Sequence, residues 1–159
     1  MIPLFDKKQI RDADLYAINQ LQIPGIVLME NAALNSFNAI LEEHFIEDGI
    51  IGIVCGKGNN GGDGYAIARH FVNNGFIVKV IIIPEMTEII GDALINFNIL
   101  NQLSKSNTNL NIRFYNDIKD IKYLNDCDII IDAILGTGSS GKLKEPINFI
   151  VESLNQIKA

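Results

Sequence analysis

The chain has 159 residues, 48% of them apolar and 20% charged, enough to bury a core without a disulfide or metal staple. Thirteen basic against nineteen acidic residues give a net charge of -6, and no basic stripe runs along the chain, which argues against nucleic acid as a partner because such binding rests on phosphate neutralisation. No apolar run approaches the roughly 18 residues of a membrane span, and the opening MIPLFDKKQIRDADLY lacks the apolar core of a signal peptide.

The first predicted element is a helix over DKKQIRDADLYAINQLQ, with Ile10, Ala13, Ala17 and Leu21 on one face. Pro24-Gly25 breaks it, and a second helix follows over IVLMENAALNSFNAILEEHF. This second helix is more apolar than a solvent-facing helix should be, so a homodimer through the N-terminal helices is expected. Glu30 and Asn31 interrupt its apolar surface and read as a buried hydrogen-bonding pair.

From Ile51 the texture changes to short β-branched runs, IGIVC, FIVKVIII, NIRFYN and CDIIIDAIL. Helix-compatible segments separate them at about 65–75, 88–104, 117–125 and 145–158. Near-continuous apolar strands alternating with helices predict a mostly parallel sheet covered on both faces. The fold class is α/β, a Rossmann-like three-layer α/β/α sandwich with two N-terminal helices, in a single domain over residues 1–159. Cys55 and Cys127 lie in apolar, strand-like surroundings and read as buried thiols, which suits a reducing cytoplasm.

Ligands bind such sheets at the carboxyl ends of the strands, and two glycine-rich loops fall there. The first, GKGNNGGDG after the first strand, has five glycines in nine residues. Gly56, Gly58 and Gly61 give the dinucleotide spacing G-x-G-x-x-G. A dehydrogenase also wants an acidic residue at the end of the second strand, and only Glu85, beyond Pro84, is available. Asp63 falls where a helix N-cap is expected, and its carboxylate would occupy the dipole end that a pyrophosphate needs.

The second loop, GTGSSGK, carries Gly136, Gly141 and Lys142 in a P-loop spacing, but Leu143 stands where Ser or Thr must hold magnesium. Its backbone N–H groups still suit an anion, which makes it the better phosphate cradle of the two, with Lys142 either part of that cradle or a solvated surface lysine. No Ser-His-Asp or Cys-His pair can be assembled, and His44 and His70 have no ligand-spaced partners.

Asp132 ends the very apolar run DIIID, where an ionised side chain needs a partner. A cation, or an acid/base role with a raised pKa, would each account for it. A cation held by carbonyls, an Asn oxygen and a carboxylate is a hard one.

GKGNNGGDGYAIARHF, preceded by GIVLMENAA and followed by DAILGTGSSGKLKEPI, resembles the N-terminal domain of the NAD(P)H-hydrate epimerases, the YjeF N-terminal domain family. The resemblance implies interconversion of the R and S forms of hydrated NADH or NADPH at C6 of the nicotinamide ring. It further implies coupling to an ATP- or ADP-dependent hydrate dehydratase that accepts only the S form, and a bound potassium ion. Carried over by motif, Asn59, Asn60, Gly61, Gly62 and Asp63 resemble the first substrate-binding segment. Gly136, Thr137, Gly138, Ser139, Ser140, Gly141 and Lys142 resemble the second, and Asn60 and Asp132 match the cation ligands.

On that reading the first loop holds a sugar or ring edge and a monovalent cation, and the phosphates go mainly elsewhere. Asp132 is the nominated acid/base for the water that leaves and returns at C6. Family members continue into a further strand ending in D-x-P-S-G, whose Asp meets the substrate and whose Ser binds the cation. This chain stops at IVESLNQIKA, so a C-terminally incomplete domain is expected. Two other classes stay open: a non-catalytic nucleotide- or protein-binding module, and an NAD-dependent oxidoreductase.

Overall fold

The computed structural model describes residues 4–44, 46–139 and 141–158. Phe45, in the second predicted helix, and Ser140, in the second glycine loop, lie outside the described residues. Helices α1 (Lys7–Asn19) and α2 (Gly25–His44) precede strand β1 (Ile50–Cys55). Then follow α3 (Asn59–Asn73), β2 (Ile77–Ile82), α4 (Gly91–Ser104), β3 (Leu110–Phe114), α5 (Ile118–Lys122), β4 (Ile129–Ala133) and α6 (Ile147–Leu154).

The four strands form one sheet in the order β3-β2-β1-β4, every neighbouring pair parallel. Side chains alternate across it, as a period of two requires. Ile51, Ile53 and Cys55 of β1 join Val78, Val80 and Ile82 of β2 in a core with α2, α3 and α4. Val54 and Ile81 face the other way, into a second cluster with Ile121, Leu124 and Ile150. The expected three-layer α/β/α sandwich is therefore present, with its strands alternating with helices as predicted. Both cysteines are free and buried, and burial pushes the Cys55 thiol well above its ordinary range.

Helix α1 departs from its sequence pattern. Its N-terminus is ordered by a capping box, in which Asp6 accepts from the Gln9 N–H and the Gln9 side chain accepts from the Asp6 N–H. None of its residues is buried, however, and Ile10, Leu15 and Tyr16 of its apolar surface stay exposed. No described helix is long and apolar enough to cross a membrane.

The candidate functional site

The first glycine loop is shorter than the sequence suggests, because helix α3 begins at Asn59, with Gly58 as its N-cap. Gly61, Gly62 and Gly64 thus lie within the first turns of a helix, where each glycine costs about 1 kcal/mol against Ala. Close packing explains them. A Cβ on Gly61 would fall 2.7 Å from the Gly56 carbonyl carbon, one on Gly62 would meet Met29 Sδ at 2.7 Å, and one on Gly64 would meet Ala133 Cβ at 2.7 Å. These glycines bring the helix against β1, α2 and β4.

Asp63 is consequently not the N-cap that its position in the sequence suggests. It is the fifth residue of α3, half-buried, and no side-chain hydrogen bond caps this helix. Burial first, and the charge of Asp14 on α1 second, push its carboxyl up to about 6.

Strand β4 runs parallel to β1 with Cys55 opposite Ala133, so both glycine loops leave the same end of adjacent strands. The Gly56 N–H donates to the Ala133 carbonyl at 3.0 Å. A Cβ on Gly136 would lie 3.2 Å from Asn60 Cβ, so the second loop touches the first. Beyond Gly136 the loop is exposed at Thr137, Gly138, Ser139, Gly141 and Lys142, and a turn closes where the Ser139 N–H donates to the Gly136 carbonyl at 3.1 Å.

Asp132 differs from expectation. It is exposed rather than buried, because β4 is the edge of the described sheet and only β1 flanks it. One of its oxygens, Oδ1, accepts from the Ile134 N–H at 2.9 Å.

A cleft of about 420 Å³ lies between these elements. Asn60, Asp63, Gly64 and Ile67 of α3 form one wall, Ile131, Asp132 and Ala133 of β4 the second, and Ala32, Ser36, Ala39 and Ile40 of α2 the third. The structure thus brings together Asn60, Asp63 and Asp132 of the predicted site. Asn59 is exposed at the start of α3, Gly61 and Gly62 are buried within its first turn, and the described part of the second loop contributes none of the residues named in the walls.

The lining holds two carboxylates and no Lys or Arg. That field favours a cation, hydroxyls or an amide and opposes a phosphate. Among the described residues no group of three or more His, Cys, Asp or Glu side chains is placed to hold a metal ion. An amide oxygen from Asn60 and the second oxygen of Asp132 fit a hard, singly charged cation better than zinc or iron.

The remaining polar candidates are engaged elsewhere. Glu85, which a dehydrogenase would need at the end of β2, instead caps a short 3-10 turn over Met86–Glu88 in a reciprocal box with Glu88. Glu30 and Asn31 are not a buried pair. Asn31 is exposed, while Glu30 accepts from both Arg69 Nη1 and Nη2, joining α2 to α3. His70 Nε2 lies 3.0 Å from Glu30 Oε1, and its ring stacks on Phe37 at 5.7 Å between centroids.

The family model described as "YjeF-related protein N-terminus" matches residues 25–159. The chain belongs to this family. It is similar to the NAD(P)H-hydrate epimerase of Rhodopirellula baltica, 35% identical over 158 residues, covering 99% of this chain and 62% of that protein. It is also 38% identical over 151 residues to the bifunctional NAD(P)H-hydrate repair enzyme Nnr of Methanothermobacter thermautotrophicus, covering 92% of this chain and 28% of that protein. Against these two relatives the chain spans 62% and 28% of their lengths. The crystal structure of yeast ynu0 has the same fold, with a TM-score of 0.77 at 23% identity, covering 98% of this chain and 66% of that one.

In this YjeF-related domain the residues that sequence reasoning missed are those of α2. Ala32, Ser36 and Ala39 recur at helical spacing as small side chains within an otherwise bulky helix, and that thinned stripe is where the cleft opens. The spacing is legible in the sequence; which element it faces is not.

Proposed function

We propose that the chain acts as an NAD(P)H-hydrate epimerase, interconverting the R and S forms of hydrated NADH or NADPH at C6 of the nicotinamide ring. One observation carries the reading: Asn60, Asp63 and Asp132, from an α-helix start and a strand end far apart in sequence, line a single cleft. Two relatives named as NAD(P)H-hydrate enzymes, matched along nearly the whole of this chain, support it.

The chemistry asks little of the protein. The ring nitrogen expels the C6 hydroxyl as water, a planar iminium remains, and water returns to either face. A pocket must hold the ring still and manage one proton. The acidic cleft suits the ring, its carboxamide and a ribose hydroxyl, while the phosphates lie outside it, toward the Gly136–Lys142 loop. Asn60 and Asp132 would hold a potassium ion, which would supply a fixed positive charge at the cleft.

A longer relative is named as a bifunctional NAD(P)H-hydrate repair enzyme, which fits coupling to a second repair activity such as a hydrate dehydratase. The exposed Ile10, Leu15 and Tyr16 of α1, with Val27 and Leu34 of α2, support a homodimer through the N-terminal helices.

The test follows the R and S forms of hydrated NADPH by NMR, with and without the protein, in potassium and then in sodium buffer. Potassium-dependent equilibration faster than the spontaneous rate is expected. Hydride transfer from tightly bound NADPH to an added carbonyl compound would overturn the reading.

A further inference from the structure

Asp132 is exposed, and one of its oxygens is committed to the Ile134 N–H. The cleft holds a second carboxyl that lacks both features. We propose that Asp63 is the catalytic residue that passes protons to and from the hydroxyl at the reacting ring carbon, leaving Asp132 to the cation. This deepens the epimerase reading and rests on it.

Position argues for Asp63 first. It stands on the α3 wall of the cleft, on the same helix as Asn60 and across from β4. Its freedom argues next. Among the described residues no hydrogen bond or ion pair engages its carboxyl, although it is half-buried. A half-buried carboxyl with no protein partner is placed to meet a ligand.

Its surroundings complete the case. The charge of Asp14 on α1 acts on it, and Asp132 lies across the cleft on β4. The α2 wall offers only Ala32, Ser36, Ala39 and Ile40, without charge. No Lys or Arg of the lining pairs with the carboxyl, and burial raises its pKa to about 6 in the cation-free fold; a potassium ion on Asn60 and Asp132 would lower it, toward a group that gives and then takes a proton.

The step balances without any further reactant. Protonated Asp63 gives its proton to the C6 hydroxyl as the lone pair of the ring nitrogen drives cleavage of the C6–O bond, and water departs. A water then attacks the C6 iminium, the new C6–O bond forms, and the Asp63 carboxylate takes the released proton. Asp63 reaches one face of the ring directly and the opposite face through an intervening water.

The experiment uses the protein with hydrated NADPH, measuring kcat and KM by NMR for wild type, Asp63→Asn and Asp63→Glu, with a thermal melt of each. Asp63→Asn is expected to lose about a hundredfold or more in kcat with KM nearly unchanged, and Asp63→Glu to recover at least about tenfold of it. The pH profile of wild-type kcat/KM should carry an acidic limb that the Asn variant lacks, and that limb should move to lower pH when potassium replaces sodium. Wild-type kcat in Asp63→Asn, a loss confined to KM, or equal activity of the Asn and Glu variants would each overturn the proposal. A wild-type protein that fails to speed equilibration overturns the functional reading itself, a result distinct from an active wild type with an active Asp63→Asn.

Discussion

Gly56 is pressed against the carbonyl of Ile134. A Cβ built on Gly56 would lie 2.9 Å from the Ile134 carbonyl carbon and closer still to its oxygen. Gly61 meets the Gly56 carbonyl in the same way. Backbone offers no rotamer to move aside, so Gly56→Ala and Gly61→Ala are each expected to destabilise the protein by about 3 kcal/mol. At Gly58 and Gly138 an added Cβ would find nothing within 4 Å; Ala at Gly138 should cost less than about 0.5 kcal/mol, and Ala at the N-cap Gly58 about 1 kcal/mol from the poorer cap alone. Urea unfolding of the four variants separates the cases, and equal losses at all four would refute the assignment of Gly56 and Gly61 to packing.

That contrast also reinterprets the dinucleotide spacing. Gly56 and Gly61 bring β4 and α3 close, and Gly58, the N-cap, is the member that faces open space. G-x-G-x-x-G here marks a tight junction of strand and helix, with no need of a pyrophosphate to explain it.

Asp63 gives a stability prediction with a definite sign. Its carboxyl titrates at about 6 in the fold, against an ordinary 3.8. Between those values the folded protein binds more protons than the unfolded chain, so stability falls as pH rises through this window, and above it the penalty is complete. Asp63→Asn removes the charge and keeps the shape. It should stabilise the protein by roughly 1–2 kcal/mol at pH 7.5, after allowance for solvent at a half-buried group, and by nothing near pH 3.5. Melting temperatures at the two pH values check this; a lower melt for the variant at pH 7.5 would contradict it.

Glu30 has the opposite sign. Its hydrogen bond from Arg69 holds the carboxyl below its ordinary 4.5. The pair therefore contributes fully above that value, and its contribution is lost as pH falls through the depressed folded value. Arg69 is only 18% exposed at its side chain but Glu30 is 38% exposed, so Arg69→Met should cost only about 1–2 kcal/mol at neutral pH. The loss should shrink near pH 3. Denaturant midpoints that fall equally at both pH values would assign the effect to packing of the guanidinium.

The strands are legible because β-branched runs such as FIVKVIII admit one reading: a parallel strand apolar on both faces. The starts of elements are harder. Gly61, Gly62 and Gly64 argue locally for a loop, and only the proximity of Met29, Ala133 and the Gly56 carbonyl makes them helical. Asp132 misleads for a related reason. DIIID reads as an interior strand, but a strand flanked on one side alone leaves the Asp132 side chain open, while Ala133 after it is buried. Likewise the periodic Ile10 and Ala13 of α1 predict a helix correctly, whereas periodicity says nothing of whether an apolar face finds a partner within the same chain. In the site, Asn60 and Asp132 are legible as motif residues; their meeting requires the β1–β4 pairing.

Asp132 and the proposed potassium ion can be separated from catalysis by binding alone. Cation binding to the folded state stabilises it by RT ln(1 + concentration/Kd), about 2.7 kcal/mol at a hundredfold excess, and raises the melting temperature accordingly. Wild type should melt progressively higher as potassium replaces sodium at constant ionic strength. Asp132→Asn leaves the Asn60 amide in place but removes the ligand charge, so the concentration needed for the same shift should rise by at least about tenfold. Asp63→Asn, which removes a carboxylate of the lining but no ligand, should weaken the potassium response much less than Asp132→Asn does. If Asp63→Asn lost that response while Asp132→Asn kept it, the roles assigned to the two carboxyls would have to be exchanged.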